Sequence, residues 1–149
     1  MLKTLKDEKG VIAIATTPFD EKNQIDFNSV DTLADYYLES GVSGVTILGV
    51  MGEAHKLNID EQKSLIEHYI KRLQDKVPVI VGVSNPGLDN LELLSKFSMQ
   101  KGASGIMVSQ IANSNGSFVE IENENFEKGV YFIKISDGTD LISKKLVIN

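Results

Sequence analysis

The chain has 149 residues, room for one ordinary domain or one domain with a small appendage. It has no cysteine, which excludes disulfides, zinc–thiolate sites, iron–sulfur clusters and thiol nucleophiles, and its two histidines, His55 and His68, are too few for a histidine-rich metal site. With a net charge of −6 and a single arginine, Arg72, it is a poor partner for nucleic acid or an anionic membrane, and no apolar run approaches the ~18 residues of a membrane span.

Residues 1–10, MLKTLKDEKG, lack the apolar core of a secretion signal, so a cytoplasmic protein is expected. Residues 11–15 form a short apolar run stopped by Thr16-Thr17-Pro18-Phe19, a first strand. Phe27, Val30, Leu33, Ala34, Tyr37 and Leu38 recur at three and four residues, the period of an amphipathic helix, which Gly41 ends. Residues 45–48 are a second strand, closed by the loop Gly49-Val50-Met51-Gly52-Glu53. Asn58 with Glu61 predicts a capping box, and Leu65, Ile66, Tyr69, Ile70 and Leu73 mark the inward face of the helix that follows. Residues 77–83 are a third strand. Asp89 with Glu92 repeats the capping pattern ahead of a helix marked by Leu91, Leu94 and Phe97, and residues 105–108 are a fourth strand.

This order, βαβαβαβ with continuously apolar strands, predicts a parallel sheet covered on both faces. An internal echo supports it: Gly41-Val42-Ser43-Gly44-Val45 and Gly102-Ala103-Ser104-Gly105-Ile106 occupy equivalent helix-to-strand junctions. In such sheets ligands bind where strands end in loops, here after Gly49 and at Ser84-Asn85-Pro86-Gly87.

The texture changes beyond residue 110. Asn113-Ser114-Asn115-Gly116 reads as a turn or linker, residues 118–121 as a short strand, and residues 130–136 and 141–148 as two strands joined around Asp137-Gly138, a strong hairpin signal. A lone hairpin is marginal in water, so this one is expected to pack on something.

The first part carries a family resemblance. Gly10-Val11-Ile12, the strand end Thr17-Pro18-Phe19, Gly41-Val42-Ser43-Gly44, the Gly49-x-x-Gly52-Glu53 loop, Val77-Pro78-Val79-Ile80 and Gly102-Ala103-Ser104-Gly105 follow one another as in the dihydrodipicolinate synthase / N-acetylneuraminate lyase family, over about residues 5–109. The resemblance implies an α/β fold, the first four βα units of an eightfold barrel, and a domain at residues 1–110. It implies class I aldolase chemistry with neither cofactor nor metal: a lysine forms a Schiff base with pyruvate, and a tyrosine relays protons. It also implies that Gly49, Val50, Met51, Gly52 and Glu53 hold the carboxylate of a pyruvate-like keto acid. Most characterised members carry hydroxyl residues between those glycines. Val50 and Met51 offer only backbone N–H groups, a small anion nest without the hydroxyl relay.

The tyrosine and lysine of the family lie on its fifth and sixth strands, and the resemblance stops at the fourth. Every lysine outside Lys134, Lys144 and Lys145 reads as helical, loop or terminal. A Schiff-base lysine needs a desolvated pocket, so this chain alone is not expected to be a competent aldolase.

The tail, residues 111–149, has a different likeness. Gly129-Val130-Tyr131-Phe132-Ile133-Lys134-Ile135, Asp137-Gly138 and Lys144-Lys145-Leu146-Val147-Ile148 are similar to the end of type IX secretion C-terminal sorting domains, which implies a chimeric chain and, as the alternative location, secretion or the cell surface. A half-barrel also leaves two open sheet edges. A homo-oligomer through those edges is expected unless the tail covers one.

The remaining candidates read mostly as structural. Glu53 is an inward carboxylate accepting loop N–H bonds in preference to a general base. His55 and His68 are surface histidines, with His68 on the exposed side of its helix. Tyr36 and Tyr37 pack or snorkel instead of relaying protons. Asp60, Glu61 and Glu67 are caps and a solvated face, and Asn85 is a turn residue in preference to a pocket hydrogen-bonder.

Overall fold

A computed structural model of the chain describes residues 10–73 and 75–109, together with the strands 129–136 and 141–148. The elements are β1 (Ile12–Ile14), α1 (Phe27–Glu39), β2 (Gly44–Ile47), α2 (Ile59–Leu73), β3 (Val79–Gly82), α3 (Leu88–Lys101), β4 (Gly105–Ser109), β5 (Gly129–Ser136) and β6 (Leu141–Ile148). Two single 3₁₀ turns, Val50–Gly52 and Ala54–Lys56, lie between β2 and α2.

The helices start and stop where their chemistry dictates. Asp26 caps α1 by accepting the N–H groups of Asn28 and Ser29 (3.0 and 3.2 Å) and the Ser29 hydroxyl (2.6 Å). The Asn58–Glu61 box closes on itself: Glu61 accepts the Asn58 N–H (2.8 Å), and Asn58 accepts those of Asp60 and Glu61 (both 3.0 Å). The Asp89–Glu92 box does not form. Helix α3 begins one residue before Asp89, on Gly87, and Glu92 pairs with Lys96 instead (2.6 Å). Gly41 and Gly102 follow α1 and α3 at φ +71° and +103°, conformations that favour glycine.

The six strands form one sheet in sequence order. β1 to β4 pair in parallel, as half of a (β/α)8 barrel requires. β5 joins β4 in parallel, with Met107, Val108 and Ser109 opposite Phe132, Ile133 and Lys134, and β6 returns antiparallel along β5 from Ser136↔Leu141 to Gly129↔Ile148. The hairpin expected around Asp137-Gly138 is therefore present in its two strands. The connecting residues, and the short strand expected at 118–121, lie outside the described residues. The β4 edge that a bare half-barrel leaves open is occupied by β5, and among the described residues β1 and β6 are the outermost strands of the sheet.

The pairing register sorts the side chains onto two faces. Val45, Ile47, Val79, Val81 and Ile106 meet the helices and form the core with Val30, Ala34, Leu65, Ile66, Tyr69, Leu73 and Leu94, all at most 3% exposed. At roughly 1.5–3 kcal/mol per fully buried large apolar side chain, α2 is the best-anchored helix, with five buried apolar positions against two for α1 and one for α3. Coverage on both faces was expected of every strand and holds for β2 and β3. It fails at β1, where Ile12 and Ile14, on the inner face of the half-barrel, are 37% and 46% exposed.

Candidate functional site

The site lies where β2 runs out. Leu48 leaves the strand at φ +54°, a left-handed conformation that a branched residue adopts at a cost, although its side chain is buried. This bend lays the Leu48 carbonyl across the end of β3. A Cβ on Gly82 would sit 2.2 Å from that oxygen, so only glycine fits there. Gly49 comes next, roofed by the ends of two inner-face side chains: a Cβ on it would meet Ile14 Cγ2 at 3.3 Å and Met107 Cε at 3.4 Å.

Residues 50–52 then make one tight turn, closed by Gly52 N–H to Gly49 O (3.0 Å) and Glu53 N–H to Val50 O (3.1 Å). Those bonds leave the N–H groups of Val50 and Met51 at the head of the turn. The two side chains project outward, 83% and 59% exposed. The far end of the turn is pinned to β1: the Thr17 hydroxyl donates to Gly52 O (2.7 Å, buried), and a Cβ on Gly52 would approach Ala15 O to 3.2 Å. Gln62 completes the frame from α2, donating to Ala54 O (3.1 Å) and Leu57 O (3.0 Å). The result is a backbone corner, held by β1, β3 and α2, that presents two amide donors, with the Thr17 hydroxyl spent on Gly52 O and no hydroxyl on residues 49–53.

Glu53 departs from expectation. It adopts a left-handed backbone (φ +51°), but its carboxylate is 40% exposed and pairs with Lys56 (2.8 Å), and among the described residues no loop N–H donates to it. The exposed His55 is the surface residue expected.

His68 is not on an exposed face. It lies between α1 and α2, with Nε2 2.9 Å from Asp31 Oδ1 and its ring 4.8 Å from Phe27. Arg72 extends the network to Asp31 (3.3 Å) and Asp35 (2.5 Å). Sequence reasoning missed this seam because its partners are 37 residues or more apart; the two acidic residues one turn apart on α1 were its only local trace.

Tyr36 is largely exposed and Tyr37 partly buried, with ring centroids 6.0 Å apart. Burial raises the pKa of Tyr37, and more strongly that of Tyr69, whose hydroxyl has no hydrogen-bond partner among the described residues. None of these tyrosines belongs to the corner. Asn85 is the turn residue expected, accepting the Gly87 N–H (3.0 Å) and the Asn90 amide (3.4 Å). Glu67 does more than line a solvated face, since it ties α2 to α3 through Lys101 (2.6 Å). Where side chains are described, no lysine is buried and none lies on a strand.

Comparison with known proteins places the scaffold. The sequence profile of the Dihydrodipicolinate synthetase family matches residues 7–110. The chain belongs to that family. A second profile, the Secretion system C-terminal sorting domain, matches residues 90–149, so the two overlap on α3 and β4. The 4-hydroxy-tetrahydrodipicolinate synthase of Kosmotoga olearia is 35% identical over 101 residues, 67% of this chain and 34% of that protein. The one from Thermotoga petrophila is 30% identical over 135 residues, 89% of this chain and 42% of its own length.

Among solved structures, dihydrodipicolinate synthase from Rhodopseudomonas palustris superposes with a TM-score of 0.68 at 44% identity, over 72% of this chain and 36% of that one. YagE, a prophage protein of the same family from E. coli solved in complex with pyruvate, gives 0.66 at 28%, over 70% and 37%. The chain thus spans about a third to two fifths of the length of the relatives it matches.

Proposed function

We propose that residues 1–110 are the carboxylate-holding half of a class I aldolase scaffold, able to cradle a pyruvate-like keto acid at residues 49–53 but without the amine that would react with it. The corner between β1, β2 and β3 carries this reading: two backbone N–H groups sit at the head of a turn fixed by Thr17 and by the Gly82–Leu48 contact. Such a corner suits the two oxygens of a carboxylate and costs no reorganisation on binding. With valine and methionine on the turn, no hydroxyl shuttles a proton to a bound keto group. The absence of turnover is supported by the change of family likeness near residue 110, and by Lys22, Lys56, Lys63, Lys71, Lys76, Lys96 and Lys101, which lie on helices and loops with none of them buried. The chain is then an aldolase relative that binds in preference to catalysing.

The test is a titration of ¹⁵N-labelled chain with pyruvate, followed by amide NMR. Saturable shifts centred on Val50, Met51 and Gly52 support the cradle. Shifts absent there, or scattered over the surface, reject it.

A second reading rests on the profile match at residues 90–149: the tail, residues 111–149, is a sorting signal and the chain an exported cargo. Fusing residues 111–149 to a reporter that already carries an export signal, in a host with type IX secretion, decides this. Delivery to the cell surface supports it, and retention inside the outer membrane removes it.

A further inference from the structure

We infer, resting on the carboxylate corner at residues 49–53, that its ligand is a keto acid with a second carboxylate, and that Lys134 of β5 takes that second group. The strand ladder sets the juxtaposition. Gly82, beside the Leu48 carbonyl, pairs with Met107, and Met107 pairs with Phe132, all on the inner face of the sheet. Two residues further along the parallel strands, Ser109 pairs with Lys134. Residues two apart share a face, so Lys134 stands on the inner face, at the end of the sheet where the corner follows β2. The same two-residue step from Leu48 on β2 reaches Val50, whose N–H heads the turn. The tail thus brings a lysine to the level of the corner.

Charge and span select the ligand. The six strands hold no aspartate or glutamate, and their charged residues are Lys134, Lys144 and Lys145. Lys145, opposite Phe132, shares the inner face with Lys134, one row further from the corner, and Lys144, opposite Ile133, is on the other face. In a chain with 21 acidic residues and a net charge of −6, the inner face is a positive element and favours an anion. From β2 to β5 is three strand spacings, about 14 Å along the sheet, and less across the concave side of a curled barrel sheet. An ammonium on a flexible four-carbon stem closes part of that distance. The remainder suits a short carbon skeleton with a carboxylate at each end, one on the amides of the turn and one on the lysine. An ammonium paired with a carboxylate is favoured in its charged form, so Lys134 holds the ligand and does not attack its keto carbon.

The experiment is an amide titration of the full ¹⁵N-labelled chain with pyruvate and, separately, with 2-oxoglutarate, a keto acid with a second carboxylate, on the wild type, Lys134→Gln and Lys144→Gln. In the wild type both acids should shift Val50 and Met51, and 2-oxoglutarate should bind about tenfold more tightly or better, the effect of one added hydrogen bond between charged groups. Lys134→Gln should abolish that advantage and leave pyruvate binding as it was, which also shows that the corner is intact in the variant. Lys144→Gln makes the same charge change on the other face and should preserve the advantage. Equal affinity for the two acids in the wild type overturns the proposal, and so does an advantage that survives Lys134→Gln. Loss of both acids alike in Lys134→Gln overturns it as well, by making the residue a support of the corner. Failure of the corner itself looks different: neither acid then shifts Val50 and Met51, and both readings fall. A pyruvate response without a 2-oxoglutarate advantage leaves the corner standing and removes Lys134 alone.

Discussion

Gly82 and Leu48 are locked together: the left-handed bend at Leu48 lays its carbonyl where a Gly82 side chain would be, 2.2 Å from the position of an added Cβ. Strand β3 therefore sets the height of the corner that follows β2. A methyl group at 82 has only backbone to push against. Gly82→Ala should destabilise the chain by about 1–3 kcal/mol, the usual range for overpacking, and weaken pyruvate binding in the same variant. Urea denaturation and the amide titration read the two effects. An alanine variant of unchanged stability would show that the bend yields cheaply.

Thr17 holds the other side of the corner through a buried hydrogen bond to Gly52 O. Thr17→Val keeps the shape and removes the donor, leaving a buried carbonyl unsatisfied, and should cost about 1–3 kcal/mol. Thr17→Ser should recover most of that loss. Equal losses in the two variants would mean that the threonine methyl, not the hydroxyl, matters at this position.

Much of this scaffold was legible in the sequence, and the limits follow a physical rule. Features set by near neighbours were readable: the apolar runs of β2 and β3, the periodic face of α2, the Asn58–Glu61 box, and the two strands flanking Asp137-Gly138. The glycines of the 49–53 loop were readable as a strand-end corner. Features set by distant partners were not. His68 has a solvent-like sequence environment and becomes an interhelical residue only because Asp31 faces it across the seam. Asp89 and Glu92 have the spacing of a cap, yet the Asn85–Gly87 turn starts the helix early enough to leave both beyond the capping position. Ile12 and Ile14 have the composition of a doubly covered strand, and their exposure follows from what stands opposite them in space.

Asp26 supplies a pH-dependent contribution to α1. Its hydrogen bonds, chiefly that to the Ser29 hydroxyl, hold its pKa below the usual 3.8. For a carboxylate lowered in the folded state, the stabilisation is complete above the unfolded value and disappears as the pH falls through the folded one. Asp26→Ala should therefore lower the melting temperature at neutral pH, and the gap to the wild type should shrink on acidification below about 3.8. A gap that stays constant down to the most acidic conditions would show that the cap acts without its charge.

The union of the two likenesses depends on β5 pairing with β4. Ile133, opposite Val108, lies in the middle of that ladder. Ile133→Pro removes an N–H and fixes the backbone within a strand paired on both sides, so it should release the tail from the sheet. Hydrogen exchange at Met107, Val108 and Ser109 should then accelerate by about tenfold or more, equivalent to roughly 1.4 kcal/mol. Unchanged protection in β4 would show that the half-barrel holds its own edge.

The central claim is that the chain cradles a keto acid and forms no imine with it. Incubation with saturating pyruvate and borohydride, followed by intact mass and peptide mapping, tests it most directly, because the reductant converts any Schiff base into a permanent adduct. The account predicts a mass unchanged from the untreated chain under conditions where the Val50 and Met51 amides respond to pyruvate. A stoichiometric adduct on one specific lysine would contradict it.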